Sequence, residues 1–224
     1  EDDDLNLGNP NLKPEQFWVL EFGFERRFGE IGVIEFMPFY HVIDDVEDLV
    51  PLGDTYEAPG NIGNGERWGF EAALTTALDV VGIKNGRLDI FYNWQDSSVE
   101  DPVTGEDRQL SDEAVWDVDI SLRQDLASLR LSYGIGYVES DVTTRYGLDE
   151  IKTGTYVPGM TFFIEKSFAK DYKLRFDAMN VLNQGAHRER RVYDMSRASE
   201  SILFTEKRVL DDETYFGISL SGTF

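Results

Sequence analysis

The sequence predicts an all-β chain whose antiparallel strands belong to a transmembrane β-barrel, and three observations predict it. Apolar residues recur at every second position in run after run, and the positions between them carry charge, hydroxyls or glycine. The connections between runs are alternately long and short. Barrel strands have short turns at one membrane surface and longer loops at the other, whereas a soluble sandwich has no reason to sort its loops by length. A dry core would also cost several kcal/mol for each unpaired ion on the polar faces, which a water-filled lumen tolerates. A soluble sandwich remains the alternative on these patterns alone.

The elements follow in order. Residues 1–16 form a lead-in loop. The first run sets Trp18, Leu20, Phe22, Phe24 and Phe28 against Val19, Glu21, Gly23, Glu25 and Arg27. Past Gly29-Glu30, Ile34, Phe36, Tyr40 and Val42 alternate with Val33, Glu35, Met37 and His41. A long polar connection spans about 44–65. The run Trp68, Phe70, Ala72, Leu74, Thr76, Leu78 and Val80 then turns at Lys84-Asn85-Gly86 into Leu88, Ile90, Tyr92 and Trp94. After a loop over 101–113 come Trp116, Val118, Ile120 and Leu122, a turn near 126–128, and Leu129, Leu131, Tyr133, Ile135 and Tyr137. A loop over 139–155 leads to Met160, Phe162, Ile164 and Phe168, and a turn at Ala169-Lys170-Asp171 leads to Leu174, Phe176 and Ala178. Residues 188–213 read as one long external excursion with room for a hairpin. The last strand places Phe216, Ile218, Leu220 and Phe224 on its apolar face, and these are expected to meet lipid where the barrel closes.

Composition narrows the function classes. The 21 basic and 43 acidic residues give a net charge of −22, which excludes nucleic acid as a partner. Cysteine is absent, so no disulfide or thiolate metal site exists, and no acidic stretch has EF-hand spacing. No cofactor is implied. There is no apolar run long enough for a transmembrane helix and no export leader on these residues. Trp18, Trp68, Trp94 and Trp116 each lie at a strand end beside a long loop, the position of an interfacial aromatic girdle. Entry from the long-loop side and exit on the short-turn side require an odd number of crossings, about nine. Bacterial single-chain barrels have even strand numbers, so the expected object is an incomplete barrel.

Five segments then resemble one family. Gly8-Asn9-Pro10-Asn11-Leu12-Lys13-Pro14-Glu15 resembles the signature on the extracellular approach to a mid-barrel strand of TonB-dependent receptors. Phe39-Tyr40 with Ile43-Asp44-Asp45, Asn61 through Gly69-Phe70-Glu71, Asn180-Val181-Leu182-Asn183, and Leu220 to Phe224 are similar to later segments in the same order. Leu182-Asn183 departs from the usual phenylalanine-aspartate, and Gly222 stands where an apolar residue is common.

The resemblance implies the C-terminal portion of a roughly 22-strand barrel, residues 17–224, without its plug. It implies an outer-membrane receptor of a Gram-negative bacterium, energised through a TonB complex acting on that plug. Its partners would be outer-membrane lipid, the remaining strands and plug on the same or a separate chain, and a small solute or metal complex as cargo. The acidic loops favour a neutral or cationic cargo, and Tyr56, Tyr146 and Tyr156 could stack on a sugar face. A structural or adhesive barrel without transport is the alternative. An outer-membrane enzyme is a third class, resting on His41 near Asp44 and Asp45 and on His187, with no positioned nucleophile. The Arg188 to Arg191 cluster reads as an external patch for lipid phosphates or acidic loops.

Overall fold

Alternation of apolar and polar residues is realised as strand throughout the computed structural model, which describes residues 8–53, 55–155, 158–168 and 172–222. The chain opens with β1 (Gln16–Glu21), β2 (Phe24–Phe28) and β3 (Gly32–Asp44), followed by a hairpin of β4 (Glu47–Leu52) and β5 (Tyr56–Asn61). Next come β6 (Gly65–Ala77), β7 (Gly86–Glu100), the two-residue β8 (Asp107–Arg108), β9 (Trp116–Leu126) and β10 (Leu131–Ser140). A second pair, β11 (Thr143–Tyr146) and β12 (Glu150–Gly154), precedes β13 (Gly159–Phe168) and β14 (Tyr172–Met179). The described chain finishes with β15 (Ala186–Tyr193), β16 (Ile202–Leu210) and β17 (Tyr215–Gly222).

The main sheet is antiparallel in the order β1-β3-β6-β7-β9-β10-β13-β14-β17, with β2 extending β1 along β3 and β8 attached to β7. Its ends, β1 and β17, are not paired with each other, so the described residues form part of a barrel wall rather than a closed cylinder. The connections that follow β3, β7, β10 and β14 all leave one end of the sheet, and 29–31, 78–85 and 127–130 the other, where β13 also ends and β14 begins. Register carries the apolar faces into continuous rows. Phe70 lies opposite Trp94 and Trp94 opposite Trp116; Ile34, Leu74, Ile90 and Ile120 form another row.

The sheet itself buries almost nothing. Trp18, Phe216, Ile218 and Leu220 are 65–77% exposed, while the buried cluster Ile43, Val46, Val99 and Leu110 sits under the long connections. A one-layer sheet with an apolar outer face needs a non-aqueous solvent on that face, which a bilayer provides. The opposite face is ion-paired across its width, with Arg87 on Asp89 at 2.7 Å, Arg123 on Asp125 at 3.0 Å and Arg175 on Asp177 at 2.8 Å. Gly134 faces Phe163 across β10 and β13, and a Cβ there would stand 2.4 Å from that ring. The ring in turn lies 4.1 Å under the Arg175 guanidinium.

The structure departs from the sequence expectations in four places. The first run is divided into β1 and β2 because Pro38 of β3 stands opposite Phe22. The Phe22 N–H donates to the Pro38 carbonyl at 3.1 Å, but proline has no N–H to return to Phe22. The 44–65 connection contains the β4–β5 hairpin, and the 141–158 connection contains β11 and β12. The β6–β7 connection is longer than a tight turn: β6 stops at Ala77, and a 3-10 turn at Asp79–Val81 closes through Gly82 and Asn85, both at positive φ. The 180–214 excursion does carry a hairpin, and β15–β16 joins β11 and β12 in a separate four-stranded sheet of order β11-β12-β15-β16. The Ala169-Lys170-Asp171 turn lies outside the described residues.

Candidate functional site

Two asparagine side chains close the bases of long connections, Asn61 that of 45–64 against the lead-in and Asn180 that of 180–214. The Asn61 side-chain amide donates to the carbonyls of Lys13 and Asp45 at 2.9 and 2.7 Å, and its Oδ1 accepts the Lys13 N–H at 2.9 Å. The Glu15 carboxylate accepts the Glu47 N–H at 2.7 Å, and Lys13 pairs with Asp45 at 3.2 Å. Two sequence segments that resembled family motifs independently, 8–15 and 61–71, therefore meet in space. Asn180, at φ 51°, donates to the carbonyls of Gln184 and Asp212, both at 3.0 Å, and its own carbonyl accepts the Thr214 hydroxyl at 2.9 Å. Asparagine suits both tasks because it tolerates left-handed backbone and offers donor and acceptor together.

Above these bases a buried charge cluster joins three connections, 45–64, 101–115 and 180–214. Asp101 follows β7, Arg108 ends β8, Asp48 is in β4 and Arg197 lies in the β15–β16 link. Arg197 Nη2 reaches Asp101 Oδ2 at 2.7 Å, Arg108 Nε reaches the same oxygen at 2.5 Å, and Arg108 Nη2 reaches Asp48 Oδ2 at 2.8 Å. These side chains are 1–7% exposed. The N–H groups of Val103 and Thr104 fill Asp101 Oδ1, and Ser111 donates to Asp48 at 2.6 Å. Two carboxylates and two guanidiniums make the cluster neutral, the condition for burying it at tolerable desolvation cost. Burial would raise the Asp101 carboxyl, but Arg197, the Val103 N–H and Arg108 outweigh it and hold the group below the usual carboxylate range. Glu113, paired with Arg67 at 2.8 Å, is moved up by burial, with Arg67 opposing.

Tyr146 lies inside this cluster, its ring 4.4 Å beneath Arg108 and 5.5 Å from Arg197, and burial pushes its hydroxyl up. It borders a cleft of about 460 Å3 also lined by Ile151, Tyr193 and Ile202. Tyr56 stands at the tip of the β4–β5 hairpin opposite Leu52, 51% exposed and away from the lining of that cleft. Tyr156 lies outside the described residues. The aromatic ring with a stacking partner is thus Tyr146, and its partners are arginines of the protein.

The remaining sequence-predicted residues are placed as follows. Trp18, Trp68, Trp94 and Trp116 occupy three successive outer-face rows at the long-connection end: Trp18 opposite Val42, Trp68 opposite Tyr40, and Trp94 opposite Trp116. Phe216, Ile218 and Leu220 lie on the outer face of edge strand β17, with Phe216 stacked on Phe176 at 5.9 Å; Phe224 lies outside the described residues. His41 is in β3, stacked on Phe39 at 4.9 Å and 3.8 Å from Glu21, rather than against Asp44 or Asp45. His187 is exposed in β15. Among the described residues no group of three or more histidine or acidic side chains is arranged to hold a metal.

Sequence reasoning missed Asp101, Arg108 and Arg197 as a unit. Asp101 and Arg197 are 96 positions apart, and neither sits in a motif. The only local signal was an aspartate followed by Pro-Val-Thr-Gly, a turn whose N–H groups it caps.

The sequence model of the family described as TonB dependent receptor-like, beta-barrel matches residues 2–183, most of the chain. No curated protein and no solved structure matches.

Proposed function

Because the chain belongs to the TonB-dependent receptor-like β-barrel family, we propose that it forms part of an outer-membrane receptor that captures a small solute or metal complex and passes it inward by TonB-energised movement of a plug. The observation that carries this reading is the joining of the long connections into one rigid unit, through Asp101 and Arg197, on top of a lipid-facing sheet. A surface that binds cargo must be pre-organised, and buried neutral ion clusters supply that order. A barrel serving only as an anchor has no need to tie three separate connections at one point.

In this reading the receptor sits in the outer membrane of a Gram-negative cell, with the long connections facing outward. The sheet edges at β1 and β17 meet further strands of the same receptor, on this chain or another, and the plug lies against the ion-paired inner face. The TonB complex acts on the plug rather than on these residues.

Uptake in cells tests the proposal. Deleting the receptor is expected to abolish saturable accumulation of at least one solute from a panel of sugars, peptides and metal complexes. A protonophore should do the same in intact cells, because energy reaches the outer membrane through the inner-membrane gradient. Accumulation that persists after the gradient collapses would make the barrel a passive or structural one.

A further inference from the structure

We propose that the face of the β11-β12-β15-β16 sheet bearing Arg188 and Arg208 is a binding site for a ligand carrying two or more clustered anionic groups, phosphate, sulfate or carboxylate. The inference rests on the receptor reading for its biological use but not for its chemistry. Register aligns like charges across this sheet. Arg145 is directly opposite Lys152, Lys152 directly opposite Arg190, and in the next row of the same face Arg188 is directly opposite Arg208. Like charges facing each other across strands are destabilising, and two such rows side by side are a cost that a bound anion would offset.

Acidic neighbours relieve only part of it. Glu150, buried beneath, pairs with Lys152 at 2.6 Å and with Arg190. Asp112 takes Arg145 at 2.5 Å and Glu206 takes Arg208 at 2.6 Å. Arg188 has no acidic partner among the described residues. It lines a cleft of about 370 Å3 in which five basic side chains face three acidic ones, in a chain of net charge −22. The floor of the cleft beside Arg188 is Gly154, whose missing Cβ would meet no atom within 4 Å. That gap lies between Thr143 and Arg188, where a ligand can approach the backbone. Neighbouring strands and alternate residues set the cations several ångströms apart in two directions, a spacing for a multiply charged group rather than a single ion. Net charge is a whole-chain sum, and the local field at this cleft has the opposite sign to it.

The same chemistry could come from a soluble ligand or from the phosphates of a surrounding lipid. Calorimetric titration of pyrophosphate into the full chain in nonionic detergent tests the site. Saturable binding is expected, weakened roughly tenfold or more by Arg188→Glu and by Gly154→Glu, and unchanged by Lys84→Glu in a short turn at the other end of the sheet. Both cleft variants should keep the wild-type circular dichroism and unfolding temperature. Nanodiscs then separate the sources: phosphatidic acid in the disc blocks pyrophosphate if lipid headgroups occupy the cleft and leaves it unaffected if the ligand is soluble. No saturable binding, or equal binding by wild type and Arg188→Glu, overturns the proposal. Lost binding with undiminished cellular uptake of the receptor's solute would overturn the cleft's role in capture and leave the receptor reading intact.

Discussion

Asn180 and Asp212 face each other across the base of the longest connection, the Asn180 side-chain amide donating to the Asp212 carbonyl at 3.0 Å. One side chain thereby joins the end of β14 to the residues before β17, closing the base of the connection that carries the β15–β16 hairpin.

Replacing Asn180 with alanine should release this base. The variant loses the bonds to Gln184 and Asp212 and leaves at φ 51° an alanine, which tolerates left-handed backbone less well than asparagine. A loss of about 1–3 kcal/mol is expected, with faster proteolysis within residues 186–210. Asn180→Gly relieves the backbone strain but not the lost bonds, so it should fall between the two. A glycine variant as protease-resistant as wild type would assign the effect to backbone conformation alone.

Truncating Asp101 leaves Arg108 and Arg197 buried with too little negative charge. Asp101→Ala is expected to destabilise the loop assembly by about 3–5 kcal/mol, read as a lowered unfolding temperature in detergent. In a double-mutant cycle, Arg197→Ala should cost less in the Asp101→Ala background than in wild type, because its partner is already gone.

Acid should act on the same cluster with a defined sign. The folded Asp101 carboxyl lies below its ordinary value of 3.8, so its contribution is present above 3.8 and is lost as pH falls through the lower folded value. Protection of the long connections from an acid-active protease should therefore persist from neutral pH to about 4 and decline only below it. Asp101→Asn should remove that decline. Glu113 runs the other way: raised above its ordinary 4.5, it binds a proton more tightly in the folded state, so its own contribution improves as pH falls through the folded value.

The two faces of the main sheet should respond oppositely to charge. Ile90 lies in the apolar row between Leu74 and Ile120, and Ile90→Arg is expected to cost about 2–4 kcal/mol in lipid. Ser121→Arg on the other face lies directly opposite Asp89 and should be tolerated. In vesicles, a cysteine at Glu71 should react with a water-soluble thiol reagent and one at Phe70 should not. Equal labelling of the two would reverse the assignment of the faces.

Much of this architecture was legible because a barrel strand writes its environment locally. Phe70 and Glu71 are neighbours in sequence and face different solvents, so a period of two survives in the residues themselves. Asn61 and Asn180 were visible as motif positions, though not the carbonyls they bind. The strands inside the long connections left no such trace. The segment Tyr56–Asn61 reads Tyr-Glu-Ala-Pro-Gly-Asn and carries no alternating apolar face, since it packs on other loops rather than between two solvents.

The sequence by itself determined the alternation of faces and the sorting of long and short connections. Each of these is a property of one residue and its immediate neighbours. Only the tertiary structure decided that Asp101 meets Arg197, that Tyr146 lies under two arginines, and that Arg188 stands beside Arg208. Those meetings depend on register and on the closure of long connections, and a guanidinium's partner is set by where the backbone carries it, which no local pattern encodes.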